Sequence, residues 1–168
     1  MQIDNLEKFF VEQLKDVYNA EKQIVRALPR MSKAATDEEL RNAFDTHLRE
    51  TEKQVERLER VFKDFGHTPQ GKKCVGMEGL IEEAKELLQE DVDPEVLDAG
   101  LIMAAQKVEH YEIATYGCLK TYAELLGNED AARVLDEILE EEKRADQLLT
   151  EIAERSINVE AIEARPEE

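Results

Sequence analysis

In "VEHYEIATYG", residues 108–117, Glu109 and Glu112 lie in one row with Ile102, Ala105, Tyr116 and Leu119. Residues three and four apart share a helix face, so both carboxylates point where the apolar residues point. The pattern recurs along the chain. Glu21 falls between Val17 and Ile24, and His47, Glu50 and Gln54 form a row between Ala43 and Leu58. Glu142 follows Leu135 and Ile138, with Asp146 one turn beyond. An unpaired buried carboxylate costs several kcal/mol even after relaxation, against a domain stability of about 5–15 kcal/mol. Converging acids must therefore reach water, share protons or hold cations. Four carboxylates neutralise two divalent ions, and Glu109 and Asp146 would match the added charge of two trivalent ones. Hard oxygen ligands in a bundle core suit two ions of iron, or else manganese; zinc prefers fewer ligands with more nitrogen or sulfur.

The acids also repeat. "VYNAE" ending at Glu21 parallels "VEHYE" ending at Glu112; Glu50 follows Glu21 by 29 residues and Glu142 follows Glu112 by 30. Gln54 and Asp146 each stand four residues further on. Such a duplication places both sets near a pseudo-twofold axis at mid-bundle, where a dinuclear carboxylate site belongs. The usual Glu-x-x-His pair of di-iron bundles is not intact, because Lys53 and Ala145 hold those positions. Gln54 and Asp146 stand in for it, unless His47 or His110 turns toward the site. His110 reads as a peripheral or surface histidine. Tyr18, Tyr111 and Tyr116 read as packing residues, Cys118 as a small core residue and Cys74 as a loop thiol.

The elements that must carry these residues are five helices. The first opens at Asp4 with Glu7 as reciprocal cap, and Pro29 is expected to kink or shorten it. The second opens at Thr36 with Glu39 and runs to Gly66. "GHTPQGKK" is a loop. A short helix spans about Met77 to Gln89. Asp93 and Pro94 start the fourth, which runs to Leu126, and the fifth spans about Glu129 to Glu154. Tight connections join the first helix to the second and the fourth to the fifth. Two hairpins with one long crossover between them are a ferritin-like four-helix bundle. The expected division is a bundle over residues 1–155 and a disordered acidic tail over 156–168.

Composition agrees with an all-α reading: 168 residues, 37% charged, with only 7 Gly, 4 Pro and no Trp. A net charge of −18 argues against nucleic acid as a partner. No stretch approaches the ~20 apolar residues that span a bilayer. Two cysteines make no disulfide framework, and a cytoplasmic protein is expected.

"LEKFFVEQLKDVYNAEKQIVRALPRM", "HLRETEKQVERLERVF", "KKCVGMEGLIEEA", "AAQKVEHYEIATYGCLKTYAELLG" and "LEEEKRADQLLTEIA" resemble the YciF/YciE-type bacterial stress proteins over nearly the whole chain. The resemblance implies a ferritin-like bundle, a homodimer and a part in stress responses, without an established reaction. Rubrerythrin-like proteins, more distant by fold, also use a Glu-x-x-Glu on the third main helix, the form of Glu109 and Glu112. The leading expectation is a dinuclear iron protein reacting with oxygen or peroxide. In it Glu50 and Glu142 bridge, Glu21, Glu112 and Glu109 are terminal, and Gln54 and Asp146 complete the shell. The alternative is a structural dimeric bundle with a vestigial site, and a manganese catalase-like activity stands third.

Overall fold

The computed structural model describes residues 3–164. Helix α1 (Leu6–Ala34) is capped by Asn5, whose side chain accepts from Lys8 N at 2.8 Å. This corrects the expected cap at Asp4, which instead pairs with the Lys8 ammonium at 2.7 Å. The helix also runs through Pro29 rather than ending early. Buried Leu28 and Met31 hold its last turns against the core, and Ala35 N closes onto the Met31 carbonyl at 3.0 Å. That packing offsets the hydrogen bond that proline forfeits.

Helix α2 (Glu38–Asp64) takes Asp37 as its cap, accepting from Leu40 N at 2.8 Å. Thr36, the expected cap, is held elsewhere. Its backbone N–H and hydroxyl, with the Asp37 N–H, donate to the buried carboxylate of Asp98 at 2.9, 2.6 and 2.8 Å. Asp98 sits in α4 (Pro94–Leu125), so one carboxylate fastens the first hairpin's turn to the second hairpin. Helix α3 (Val75–Leu87) lies in the crossover and packs on α1 and α4. Gly127, at φ 76°, ends α4 in the left-handed region that glycine tolerates. Asn128 then caps α5 (Glu129–Ile152).

The chain continues as one π turn, Ala153–Ile157, and α6 (Asn158–Glu163), which packs on α4. The segment expected as a disordered tail is thus helical as far as Glu163, anchored by Ile157, which is 1% exposed. The last four residues of that expected tail lie outside the described residues.

The two hairpins face each other, α1 against α4 and α2 against α5. Their apolar stripes form two clusters rather than one. The first contains Phe10, Leu14, Phe62, Leu119 and Leu135; the second contains Ile24, Leu28, Phe44, Leu101 and Leu149. Along α1, α2, α4 and α5 the buried residues between those clusters are polar. Among the described residues, no helix is long and apolar enough to cross a membrane.

Candidate metal centre

Six polar side chains are buried in that intermediate layer: Glu21, His47, Gln54, Glu109, Glu112 and Glu142, none more than 7% exposed. From Leu40 to Leu58 the buried residues of α2 are Leu40, Phe44, His47, Thr51, Gln54 and Leu58, alternating steps of four and three. His47 therefore shares the inward stripe, while Glu50 stands one residue, or about 100° of helix, away from Thr51. The side chain of Glu50 is 42% exposed, and its carboxylate lies 3.9 Å from His47 Nδ1. Asp146 is also at the edge, 21% exposed and 3.1 Å from His110, which is itself 69% exposed. The row read from the sequence held both His47 and Glu50; the strict four-three stripe through Phe44 and Leu58 is the signal that keeps His47 and replaces Glu50 by Thr51.

His47 Nε2 lies 3.1 Å from Glu109 Oε1 and 3.7 Å from Glu142 Oε2. One ligand atom from each of His47, Glu109, Glu112 and Glu142 falls within 4.8 Å of the others. The Gln54 amide donates to Glu142, and also to Glu141 at 3.0 Å. Tyr116, fully buried, donates its hydroxyl to Glu21. Tyr111 donates to Asp16 at 2.9 Å and contacts the Cys74 sulfur at 3.0 Å. The two cysteines exchange their expected settings. Cys74 is buried at the start of α3, while Cys118, one residue off the inward position of Leu119, is exposed.

Most of the carboxylate oxygens in the layer receive no donor. Both oxygens of Glu112, one each of Glu21, Glu109 and Glu142, and Gln54 Oε1 are buried without a hydrogen-bond partner. Burial pushes the Glu21 carboxyl up to about 7, although the Tyr116 hydroxyl pulls the other way. Burial, then the charges of Glu142, Glu21 and Glu109, holds Glu112 well above the usual carboxylate range. Glu142 is raised by burial and by Glu109. Burial would raise Glu109 too, but the His47 charge prevails and lowers it. His47 is the converse: burial works to lower it, and Glu109 carries it well above its ordinary value. Without metal, the layer is one ion pair surrounded by carboxyls that favour their protons. Buried acceptors lacking donors are what a cation satisfies, so this donor set fits a hard or borderline metal ion.

Helices, crossover and buried layer together define a ferritin-like all-α bundle with a carboxylate–histidine cluster at its middle. The family described as Domain of unknown function (DUF892) matches residues 5–162. Protein YciF of Escherichia coli K12 is 48% identical over 162 residues, covering 96% of this chain and 98% of YciF. The crystal structure of the E. coli stress protein YciF superposes with a TM-score of 0.89, covering 93% of this chain and 99% of that one. YcfI of Rhodopseudomonas palustris, proposed to be a structural protein, is 46% identical with a TM-score of 0.87, covering 89% and 95%. A Xanthomonas campestris protein at 21% identity and a TM-score of 0.74, covering 95% and 97%, shares the fold. The chain belongs to the YciF family, as its sequence resemblance implies.

Proposed function

We propose that this chain is a dinuclear iron protein of the bacterial stress response, with manganese as the other candidate ion, and that it reacts with oxygen or peroxide. The observation that carries the reading is the set of buried, donorless oxygens on Glu21, Glu109, Glu112 and Glu142 around His47. His47, Glu109, Glu112 and Glu142 would hold one ion. Glu21 and Gln54, with Glu112 and Glu142 shared, would serve the other, and Glu50 and Asp146 stand at the rim. Bound iron would supply one-electron chemistry toward peroxide, which no side chain here provides. The protein's own part is positional. Tyr116 orients Glu21, and the Gln54 amide orients Glu142. His47 must surrender its proton to become a ligand, so cation binding releases protons. The two apolar clusters close the layer above and below. A cytoplasmic homodimer belongs to the same reading, and the exposed apolar Met103, Val159 and Ile162 on α4 and α6 offer it a face.

The second reading, a structural bundle with a vestigial site, has its own support. Gln54 gives the cluster a neutral amide where a charged or imidazole ligand would bind better, and YcfI is proposed to be structural. Stopped-flow oxidation of stoichiometric Fe²⁺ by peroxide separates the two. The proposal expects oxidation at least tenfold faster with the protein than without it. A rate equal to that of free iron favours the structural bundle.

A further inference from the structure

Two cavities reach the His47–Glu109 pair. One, of about 300 Å³, opens between α2 and α5 past Glu50 and Arg144. The other, of about 290 Å³, lies where α3 covers α1 and α4, and the proposed metal chemistry does not use it. Its walls are Ile24, Leu80, Ile81 and Val108. Alanines at 27, 84, 104 and 105 leave the space, because short side chains stand where the three helices face one another. Its floor is His47 and Glu109, each more than nine-tenths buried.

The rim is basic. Arg26, Arg30 and Lys85 line the mouth, and a neighbouring cavity of about 360 Å³ shares Arg30 and Lys85 and adds Lys33. Among the described residues, Glu109 on the floor is the single carboxylate in the lining of either one, in a chain with 40 acidic residues against 22 basic ones. Outside that lining, Lys85 is shared with Glu82 at 3.0 Å. A cationic mouth over an apolar shaft is complementary to an anionic head on an apolar tail. Guanidinium holds carboxylate in paired hydrogen bonds. The volume sits at the lower end of the ~300–1,000 Å³ of small-molecule sites, which suits a medium chain rather than a long one.

We infer that this cavity binds a medium-chain monocarboxylate, its head on Arg30 and Lys85 and its chain along Ile24, Leu80, Ile81 and Val108. The inference stands apart from the metal reading, since binding is measured directly and needs no turnover. Isothermal titration of the full chain, as purified, would compare decanoate, octanoate, acetate and decylamine. Decanoate should bind, octanoate more weakly by about fourfold per methylene removed, and acetate and decylamine not measurably. The double variant Arg30→Glu, Lys85→Glu changes two surface positions and should weaken decanoate at least tenfold. Ala27→Leu, which fills the shaft and leaves the rim intact, should weaken it as well. Absence of decanoate binding at millimolar concentration would overturn the inference. So would equal binding of decylamine or acetate, or a charge-reversed variant that binds decanoate like the parent.

Discussion

In the first hairpin Glu21 lies thirteen residues before Ala34, the end of α1; in the second Glu112 lies thirteen before Leu125, the end of α4. Three residues turn each hairpin, 35–37 and 126–128. From there the two diverge. Glu142 stands thirteen residues after Glu129, the start of α5, and is fully buried. The residue thirteen after Glu38, the start of α2, is Thr51, also fully buried, with its hydroxyl turned to the His47 carbonyl at 2.8 Å. Glu50 is one position short and lies at the rim. The second hairpin thus contributes Glu109, Glu112 and Glu142, whereas the first contributes one glutamate, a histidine and an amide. A near-repeat in sequence need not be a repeat of faces, because one residue of register turns a helix by about 100°.

The sharpest way to test that asymmetry is to remove it. Thr51→Glu places a fifth carboxylate in the buried layer, and Thr51→Gln brings the same shape without charge. At pH 8 and without metal, the Glu variant should be less stable than the Gln variant by several kcal/mol, measured by urea denaturation. Equal stabilities would mean that Thr51 is not the counterpart of Glu142.

Next in size is the pH dependence of the metal-free protein. Glu21 is ordinarily at 4.5 and is raised to about 7 by burial, so its contribution is fully present below pH 4.5 and is lost as pH rises through 7. At about 1.4 kcal/mol per pH unit this amounts to about 3 kcal/mol for Glu21. Glu112 and Glu142, also raised, work in the same direction. So does His47, whose raised value gives stability below 6.5 that is lost above its folded value. Glu109 opposes them only below its ordinary 4.5. Metal-free protein should therefore denature at higher urea at pH 5 than at pH 8. A flat or rising profile over that span would place these groups in water.

A smaller and more selective effect distinguishes the two hairpins' ligands. Glu142→Gln should weaken Fe²⁺ binding about a hundredfold, or 2.8 kcal/mol. Glu50→Gln, which alters a rim residue, should weaken it less than threefold. Titration calorimetry under anaerobic conditions reads both, and equal losses would return Glu50 to the shared, bridging role that the repeat suggested.

Much of the architecture was legible because periodicity and breakers are local. The hairpins, the crossover helix, and Glu21, Glu109, Glu112 and Glu142 on inward faces all follow from spacing. The misses came where tertiary contacts decide. Thr36 looked like a cap until Asp98, 62 residues away, took its donors. Pro29 looked like a terminator, but the core on both sides of it holds α1 together. Ile157 finds a buried place that its polar neighbours hid. On α2, the row drawn through Ala43, His47, Glu50, Gln54 and Leu58 took in Glu50. Burial follows Phe44, His47, Thr51 and Gln54 instead, so His47 and Gln54 keep their places and Thr51 takes the one expected for Glu50.

Metal content decides whether the buried layer is a dinuclear centre. The full chain should be purified without chelator, reloaded anaerobically with excess Fe²⁺ or Mn²⁺, desalted and submitted to elemental analysis and thermal melting. About two ions per chain are expected, with a raised melting temperature by linkage of binding to folding. Protein that stays metal-free in excess iron and manganese, and melts identically with and without them, would contradict the dinuclear reading.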